Sequence, residues 1–457
     1  MEEAIHFYHI NDLHSHFEKW PRIHAFFEKS RLKHQRRGEE VFYFDLGDHA
    51  DRWHPFTEGT MGKGNVSLLN KDGMTAATIG NNEGITFPKD QLNQLYENAA
   101  FDVIVANLYE PNGKRPPWAL PYQIYKTKSN VKIGVIAVTA FFSEVYKLLG
   151  WEITEPIAEI RKQLKALVHQ TDMIMLLSHL GIHQDEKIAK LFHEIDIIIG
   201  AHTHHVLPKG KIVDQSLLAA AGKFGLYVGH ITVKIDTDSK QVIDKQATLY
   251  ETNKMEKPHN EEAQIAELER TGKQLLQKEI VRLPYDLTGD WFESSRLSQL
   301  LCEAICHWTD ADCAFINAGV IMKSLKKGVV TQFDIHEMLP HPINPCLFEL
   351  TGEEIRTVLL HSLNEDWAHF PLKGLGFRGK VMGKFVYHSI HIDEKSGEVF
   401  VNDKLIELDH TYKLATFDLF AFGKFFPILH KTKKKRYFMP EFLRDIMAWK
   451  LQAEFLS

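Results

Sequence analysis

A chain of 457 residues is long enough for two or three domains, each burying its own core. With 44% hydrophobic and 25% charged residues and a net charge of −6 of mixed signs, nothing in the bulk electrostatics points to a nucleic-acid partner. No run of about 18 apolar residues is present, which argues against a membrane span. The chain opens Met1-Glu2-Glu3-Ala4 with no basic or apolar leader pattern, so a cytoplasmic location is expected. Histidine is the unusual component, at 26 residues. Cys302, Cys306, Cys313 and Cys346 stand in or beside apolar runs and read as buried, reduced thiols rather than a metal knot.

In chain order, β-branched and aromatic runs predict strands over 5–10, 41–46, 103–106, 131–138, 173–177 and 196–199. Helices are predicted over 21–36, 88–99, 154–170 and 184–193, with Pro21 and Pro88 in first turns and Gly38 as a stop. Such alternation implies buried sheets with helices outside, and function collected beyond the strand C-termini. A hairpin follows over 227–235 and 241–250, turning at Asp236-Thr237-Asp238. The charged stretch 256–278, with Ile265, Leu268, Leu275 and Leu276, predicts an exposed amphipathic helix between domains. A second α/β domain is expected from residue 281 onward, with a solvated loop at 431–436 and a docked helix at the end.

Five short motifs each follow an apolar run. They are Asp12-Leu13-His14, Gly47-Asp48, Gly80-Asn81-Asn82-Glu83, Ser178-His179 and Gly200-Ala201-His202-Thr203-His204. Singly, Asp48 reads as a turn former, Asn81-Asn82 as a helix cap and His179 as a core histidine. Together they offer carboxylate, amide and imidazole donors from successive strand ends, a mixed set suited to borderline divalent metals.

In this order the motifs resemble those of the calcineurin-like metallophosphoesterases, and more closely the two-domain 5′-nucleotidase family. Asn317-Ala318-Gly319, Leu339-Pro340 with Asn344, Leu350-Thr351-Gly352-Glu353 and the run 412–427 carry the likeness into the second half. The resemblance implies an αββα sandwich over 1–255, a linker helix over 256–280 and an α/β 5′-nucleotidase-type C-terminal domain over 281–457. It implies two divalent ions (Mn, Zn, Fe or Co), one on Asp12, His14, Asp48 and His204, the other on Asp48, Asn81, His179 and His202. The active site is expected in the cleft between the domains. The expected substrate is a small nucleotide-like phosphoester or phosphoanhydride, with neither nucleic acid nor membrane as partner; the sequence leaves the oligomeric state open.

The departures from the family are as informative. Its Gly-Asn-His-Glu-Phe-Asp is here Gly80-Asn81-Asn82-Glu83-Gly84-Ile85, so Asn82 replaces a histidine and Ile85 its orienting aspartate. An amide donates a hydrogen bond but relays no proton, so Asn82 is the catalytic position of interest, with His54, His183 and His205 as alternative acids. In the second domain Met322 replaces an expected arginine, Lys323 is a partial substitute, and Lys424 stands at an acidic position. Base stacking maps to Phe377 and Phe426, with Arg378 and Asn344 as further substrate contacts. A phosphodiesterase, or a weakly catalytic nucleotide- or metal-binding sensor, are the rival readings.

Overall fold

Alternate side chains along the strands of the N-terminal half meet across a shared apolar layer. Ile5 and Phe7, Val135 and Ala137, Met175 and Leu177, Ile197 and Ile199, and Ile231 and Val233 are all buried there. In a strand such i, i+2 residues share one face, so the layer joins two sheets face to face. The structure is a computed structural model and describes residues 2–455.

The first sheet has six strands in the order Val242–Glu251, Tyr227–Asp236, Glu2–Ile10, Glu40–Asp45, Ala76–Ala77 and Asp102–Val103. The second runs Lys211–Val213, Ser216–Ala219, Ile197–Gly200, Met173–Ser178, Lys132–Val138 and Tyr122–Lys126. The opposite faces are also apolar. Tyr8, Ile10 and Tyr43 pack under the helix Trp20–Arg37 through Ile23 and Phe27. Ile136, Leu176 and Ile198 pack under the helices Pro156–Leu167 and Ile182–Leu191 through Ile160, Leu164 and Ile188. Helix, sheet, sheet and helix are thus stacked in the expected αββα order. The helix Trp20–Arg37 stops at Gly38, whose φ of 67° lies in the left-handed region. The 103–106 run pairs for less than its predicted length, as Asp102–Val103 with a bridge from Ile104 to Leu120.

By compactness the chain divides into two units, the first ending at Gly272 and the second beginning at Lys273. The break falls inside the helix Glu261–Leu275. Much of this helix is exposed, but Arg22 clamps Glu261 through two hydrogen bonds of 2.7 and 2.9 Å. Gly272, within the first unit, is pressed against the helix Pro55–Thr60 of the same unit: a Cβ there would lie 2.2 Å from the Phe56 nitrogen. Alanine in place of glycine inside a helix ordinarily gains about 1 kcal/mol. At this contact the sign should reverse, because backbone cannot yield cheaply. Gly272→Ala is expected to cost about 1–3 kcal/mol, read as a lowered urea midpoint; an equal or raised midpoint would refute the contact.

The second unit is built on a five-stranded mixed sheet, ordered Phe385–His388, Cys313–Asn317, Thr411–Phe417, Pro345–Thr351 and Lys435–Tyr437. The helices Arg296–Thr309, Gly352–Ser362 and Leu443–Phe455 contribute to its core, with Trp308 and Trp449 meeting edge to face at 5.3 Å. All four cysteines are unpaired and buried, and burial pushes the Cys306 thiol up to about 11. The 431–436 run is not all loop. Lys435–Tyr437 pairs with Pro345–Thr351 as an edge strand, and cationic side chains are a common guard against further pairing there.

Candidate metal centre

The motif residues lie just beyond the C-terminal ends of parallel strands. Glu2–Ile10 leads to Asp12 and His14, Glu40–Asp45 to Asp48, and Ala76–Ala77 to Asn81. Met173–Ser178 leads to His179, and Ile197–Gly200 to His202 and His204. Five of these residues leave their strands in the left-handed region, at φ 51° (Asp12), 50° (His14), 51° (Asp48), 72° (His202) and 56° (His204). Each non-glycine residue held so costs about 1–3 kcal/mol, a strain that gathers at functional sites.

Hydrogen bonds between the loops hold this conformation. The Asp12 N–H donates to Gly47 O (3.1 Å), His14 N–H to Asp48 O (2.7 Å) and Ser15 N–H to His49 O (3.0 Å). Gly80 is fixed by closeness, since a Cβ on it would lie 2.1 Å from Asp48 Oδ1 and 2.5 Å from His179 Cε1.

Two triads result, Asp12 with His14 and His204, and Asp48 with His179 and His202, each offering ligand atoms within 4.8 Å of one another. Asp48 Oδ2 faces both, standing 3.6 Å from His14 Nε2 and 3.4 Å from His179 Nε2. Asn81 joins through its amide oxygen, 2.8 Å from His202 Nδ1. Asp12, Asp48 and His179 are at most 2% exposed.

Further groups orient these side chains. Glu83 accepts hydrogen bonds from the N–H groups of Asp48 (2.9 Å), Ala50 (2.8 Å) and Gly80 (2.9 Å), tying two ligand loops to one carboxylate. Asp51 Oδ2 lies 3.2 Å from His14 Nδ1, so a proton there leaves Nε2 free to face a cation. Asn11 bonds the Asp12 carboxylate (2.9 Å) and Gly222 O (2.6 Å). The Asn82 amide sits 2.9 Å from His14 Nδ1, and its N–H donates to Asp48 Oδ1 (2.7 Å). Of the alternative acids, His54 caps the helix Pro55–Thr60 and His205 is bonded to Thr203 Oγ1; neither belongs to a triad, nor does His183.

The electrostatics call for positive charge. Burial opposes the charge on Asp48, yet the neighbouring His179 outweighs it and holds the carboxyl below its usual range. Burial likewise opposes an imidazolium at His179, and Asp48 overcomes it, raising that histidine. Burial pushes His202 and His204 down to about 4, so both are neutral donors at neutral pH. His179 Nε2 is buried and makes no hydrogen bond, although Asp48 Oδ2 stands 3.4 Å away. Buried carboxylates, neutral imidazoles and an unsatisfied ring nitrogen suit a divalent cation.

Comparison with known proteins bears on this arrangement. Residues 5–206 match the calcineurin-like phosphoesterase model and residues 277–429 the 5′-nucleotidase C-terminal domain model. The metallophosphoesterase YunD of Bacillus subtilis is 42% identical over 99% of this chain and 100% of its own. The chain belongs to the two-domain metallophosphoesterases of the 5′-nucleotidase family. It is therefore a hydrolytic enzyme of a family that uses divalent metals. Solved structures share the fold. A putative 5′-nucleotidase from Staphylococcus aureus superposes with a TM-score of 0.69 at 17% identity, covering 98% of this chain and 97% of that one. The NAD nucleotidase of Haemophilus influenzae gives 0.65 at 16% identity, covering 98% and 96%.

In the 5′-nucleotidase C-terminal unit, the residues expected at substrate are largely engaged in packing. Phe426, 1% exposed, lies among Phe315, Phe385, Phe420 and Trp367. Phe377, 4% exposed, stacks on His341 at 5.2 Å. Stacking on a base would require either ring to leave these partners. Asn344 is also buried, donating to Glu441 O (2.7 Å). Arg378 is half-buried, its N–H bonded to His341 Nδ1 (2.9 Å). Lys323 pairs with Glu337 at 2.6 Å.

Sequence reasoning assigned no role to Asp51, Glu83 or Phe142. Phe142 is 37% exposed, and its ring lies 6.1 Å from that of His202. Its signal was available, since Phe141-Phe142 follows the strand Lys132–Val138 as the other motifs follow theirs.

Proposed function

We propose that this hydrolase works with two divalent ions on nucleotide-like substrates and prefers acidic leaving groups. Phosphoanhydrides such as nucleotide-sugar pyrophosphates, and aryl esters, rank ahead of nucleoside monophosphates. The observation that carries the preference is Asn82, in the ligand loop, whose side-chain amide lies 2.9 Å from His14 Nδ1, whose backbone N–H donates to Asp48, and which cannot relay a proton. Ile85 supplies no carboxylate to orient an acid in its place. An alkoxide leaving group needs protonation worth about 10²- to 10⁴-fold, whereas a phosphate or phenolate departs without it.

Asp12, His14 and His204 would hold one ion, and Asn81, His179 and His202 the other, with Asp48 shared because it faces both triads. Mn²⁺, Zn²⁺, Fe or Co²⁺ suits this donor set. Bound there, two such ions supply Lewis acidity at the phosphoryl oxygens and an activated water. The chain itself orients the imidazoles through Asp51 and Leu46 O, and the Asp12 carboxylate through Asn11. In the second unit, Arg378 would meet substrate charge in place of the arginine lost at Met322.

The test begins with metal-stripped protein given Mn²⁺, Co²⁺ or Zn²⁺. Phosphate or nucleotide release is then followed from p-nitrophenyl phosphate, AMP, a cyclic nucleotide and a nucleotide-sugar. The nucleotide-sugar and the aryl ester should exceed AMP by about 10²-fold or more. AMP turned over as fast as the nucleotide-sugar would overturn the preference.

A further inference from the structure

A short turn, Gly222-Lys223-Phe224-Gly225, lies against the Asp12 loop and belongs to neither triad. The loop grips it at both ends. The Asn11 amide donates to Gly222 O at 2.6 Å and accepts from the Ala221 N–H at 3.1 Å, and the Phe224 N–H donates to Asp12 O at 2.8 Å. Gly222 and Gly225 have positive φ, and so does Phe224, at 59°. Glycine adopts this conformation freely, but a bulky side chain is strained in it and persists only where its surroundings impose it. The Phe224 ring is thereby set edge to face with His14 at 5.8 Å and against His16 at 3.9 Å.

This ring carries the Lys223 ammonium, 4.5 Å from its centroid. A cation over an aromatic face is attracted by the ring quadrupole, so the ammonium is held in one place. Half-buried, Lys223 forms no ion pair among the described residues. Burial, then the charges of His14 and Lys223, push His204 down to about 4, so the lysine is within electrostatic reach of the first triad. Its ammonium makes no hydrogen bond to a triad residue, and the Phe224 ring touches both it and His14. The charge thus stands beside the ion site, not in it, and has no carboxylate of its own. A fixed cation of this kind is suited to an anion that arrives with the substrate.

We propose that Lys223 is a specificity-determining residue that receives the second phosphate of a phosphoanhydride, the one that leaves. The proposal rests on the two-ion reading above and gives its anhydride preference a second source. Asn82 withholds the proton that an alkoxide needs, and Lys223 supplies a charge that only a second phosphate can meet. As the water oxygen bonds to the reacting phosphorus, the bridging P–O bond breaks, its electron pair leaves on the second phosphate, and the water proton passes to solvent. The departing phosphate gains one negative charge in this step, and a cation already in place where charge develops lowers the barrier. An aryl or nucleoside monophosphate offers no second phosphate for the ammonium.

The experiment compares Lys223→Met and Lys223→Arg with the wild type, each loaded with Mn²⁺ and its metal content measured. kcat/KM is determined on a nucleotide-sugar and on p-nitrophenyl phosphate. Inhibition constants are determined for inorganic phosphate and for methylenediphosphonate, an uncleaved mimic of an anhydride, with Mn²⁺ in excess. Lys223→Met should lower kcat/KM on the nucleotide-sugar about 10- to 100-fold and weaken the diphosphonate about tenfold or more. Inhibition by phosphate and kcat/KM on p-nitrophenyl phosphate should change less than about threefold, since a single phosphoryl group does not reach the ammonium. Lys223→Arg keeps a cation over the same ring and should restore most of the loss. Equal losses on both substrates would overturn the proposal by placing the lysine at the reacting phosphoryl group. A fall in metal content in Lys223→Met would also overturn it, as an effect on the ions. AMP turned over by the wild type as fast as the nucleotide-sugar would overturn the preference and this proposal together, whereas a preference that Lys223→Met retains in full would overturn this proposal alone.

Discussion

Asn82→His is expected to raise AMP hydrolysis by about 10²- to 10⁴-fold while changing nucleotide-sugar hydrolysis by less than about tenfold. The two reactions differ in what leaves. A ribose alkoxide is a poor leaving group and profits fully from a proton donor; a nucleotide phosphate leaves as a stable anion. The backbone at position 82 is already set, because its N–H donates to Asp48 Oδ1 at 2.7 Å. Ile85 would leave the new imidazole without an orienting carboxylate, so Asn82→His should fall toward the lower bound and Asn82→His/Ile85→Asp toward the upper. Since the Asn82 amide also touches His14 at 2.9 Å, metal content must be measured beside the rates. Equal gains on both substrates at equal metal content would show that the residue does not govern leaving-group protonation.

Asp48→Ala should abolish most hydrolysis. The Asp48 carboxylate is 2% exposed and stands between His14 and His179, at 3.6 and 3.4 Å. Ions held at such a site would supply several kcal/mol of transition-state charge stabilisation, and losing this ligand should forfeit about 3–5 kcal/mol of it. Expressed in the barrier, that is a loss of about 10²- to 10⁴-fold. Asp48 belongs to one triad and faces His14 of the other, so the variant should also bind fewer ions, read by elemental analysis after dialysis against Mn²⁺. Rates above a tenth of wild type with the ions retained would refute the shared role.

The parts legible in the sequence are those whose signal is local. Ile5 and Phe7 announce a two-faced strand within a few residues, and Asp12 and His14 follow it directly. Asp51 and Glu83 were not assigned, because their roles are acts of backbone geometry. Glu83 matters through three N–H groups from two loops that meet only in the fold. Lys223 and Phe224 carry no local pattern, since the distant Asp12 loop holds their turn beside His14. Phe377 and Phe426 illustrate the converse. An aromatic beside glycines reads equally well as a platform or as core, and only their packing on His341 and Trp367 reveals what they now touch.

The Glu83 clamp has an evolutionary consequence. It holds the Asp48 and Gly80 loops by their main chains, and the neighbouring Asp48 carboxylate receives the backbone N–H of residue 82. Neither grip depends on which side chain occupies position 82 or 85. Substitutions there can be accepted while the main chain of the ligand loops persists. Those two positions are thus free to vary among descendants of one ancestral hydrolase without each step dismantling the main-chain frame of the ligand loops.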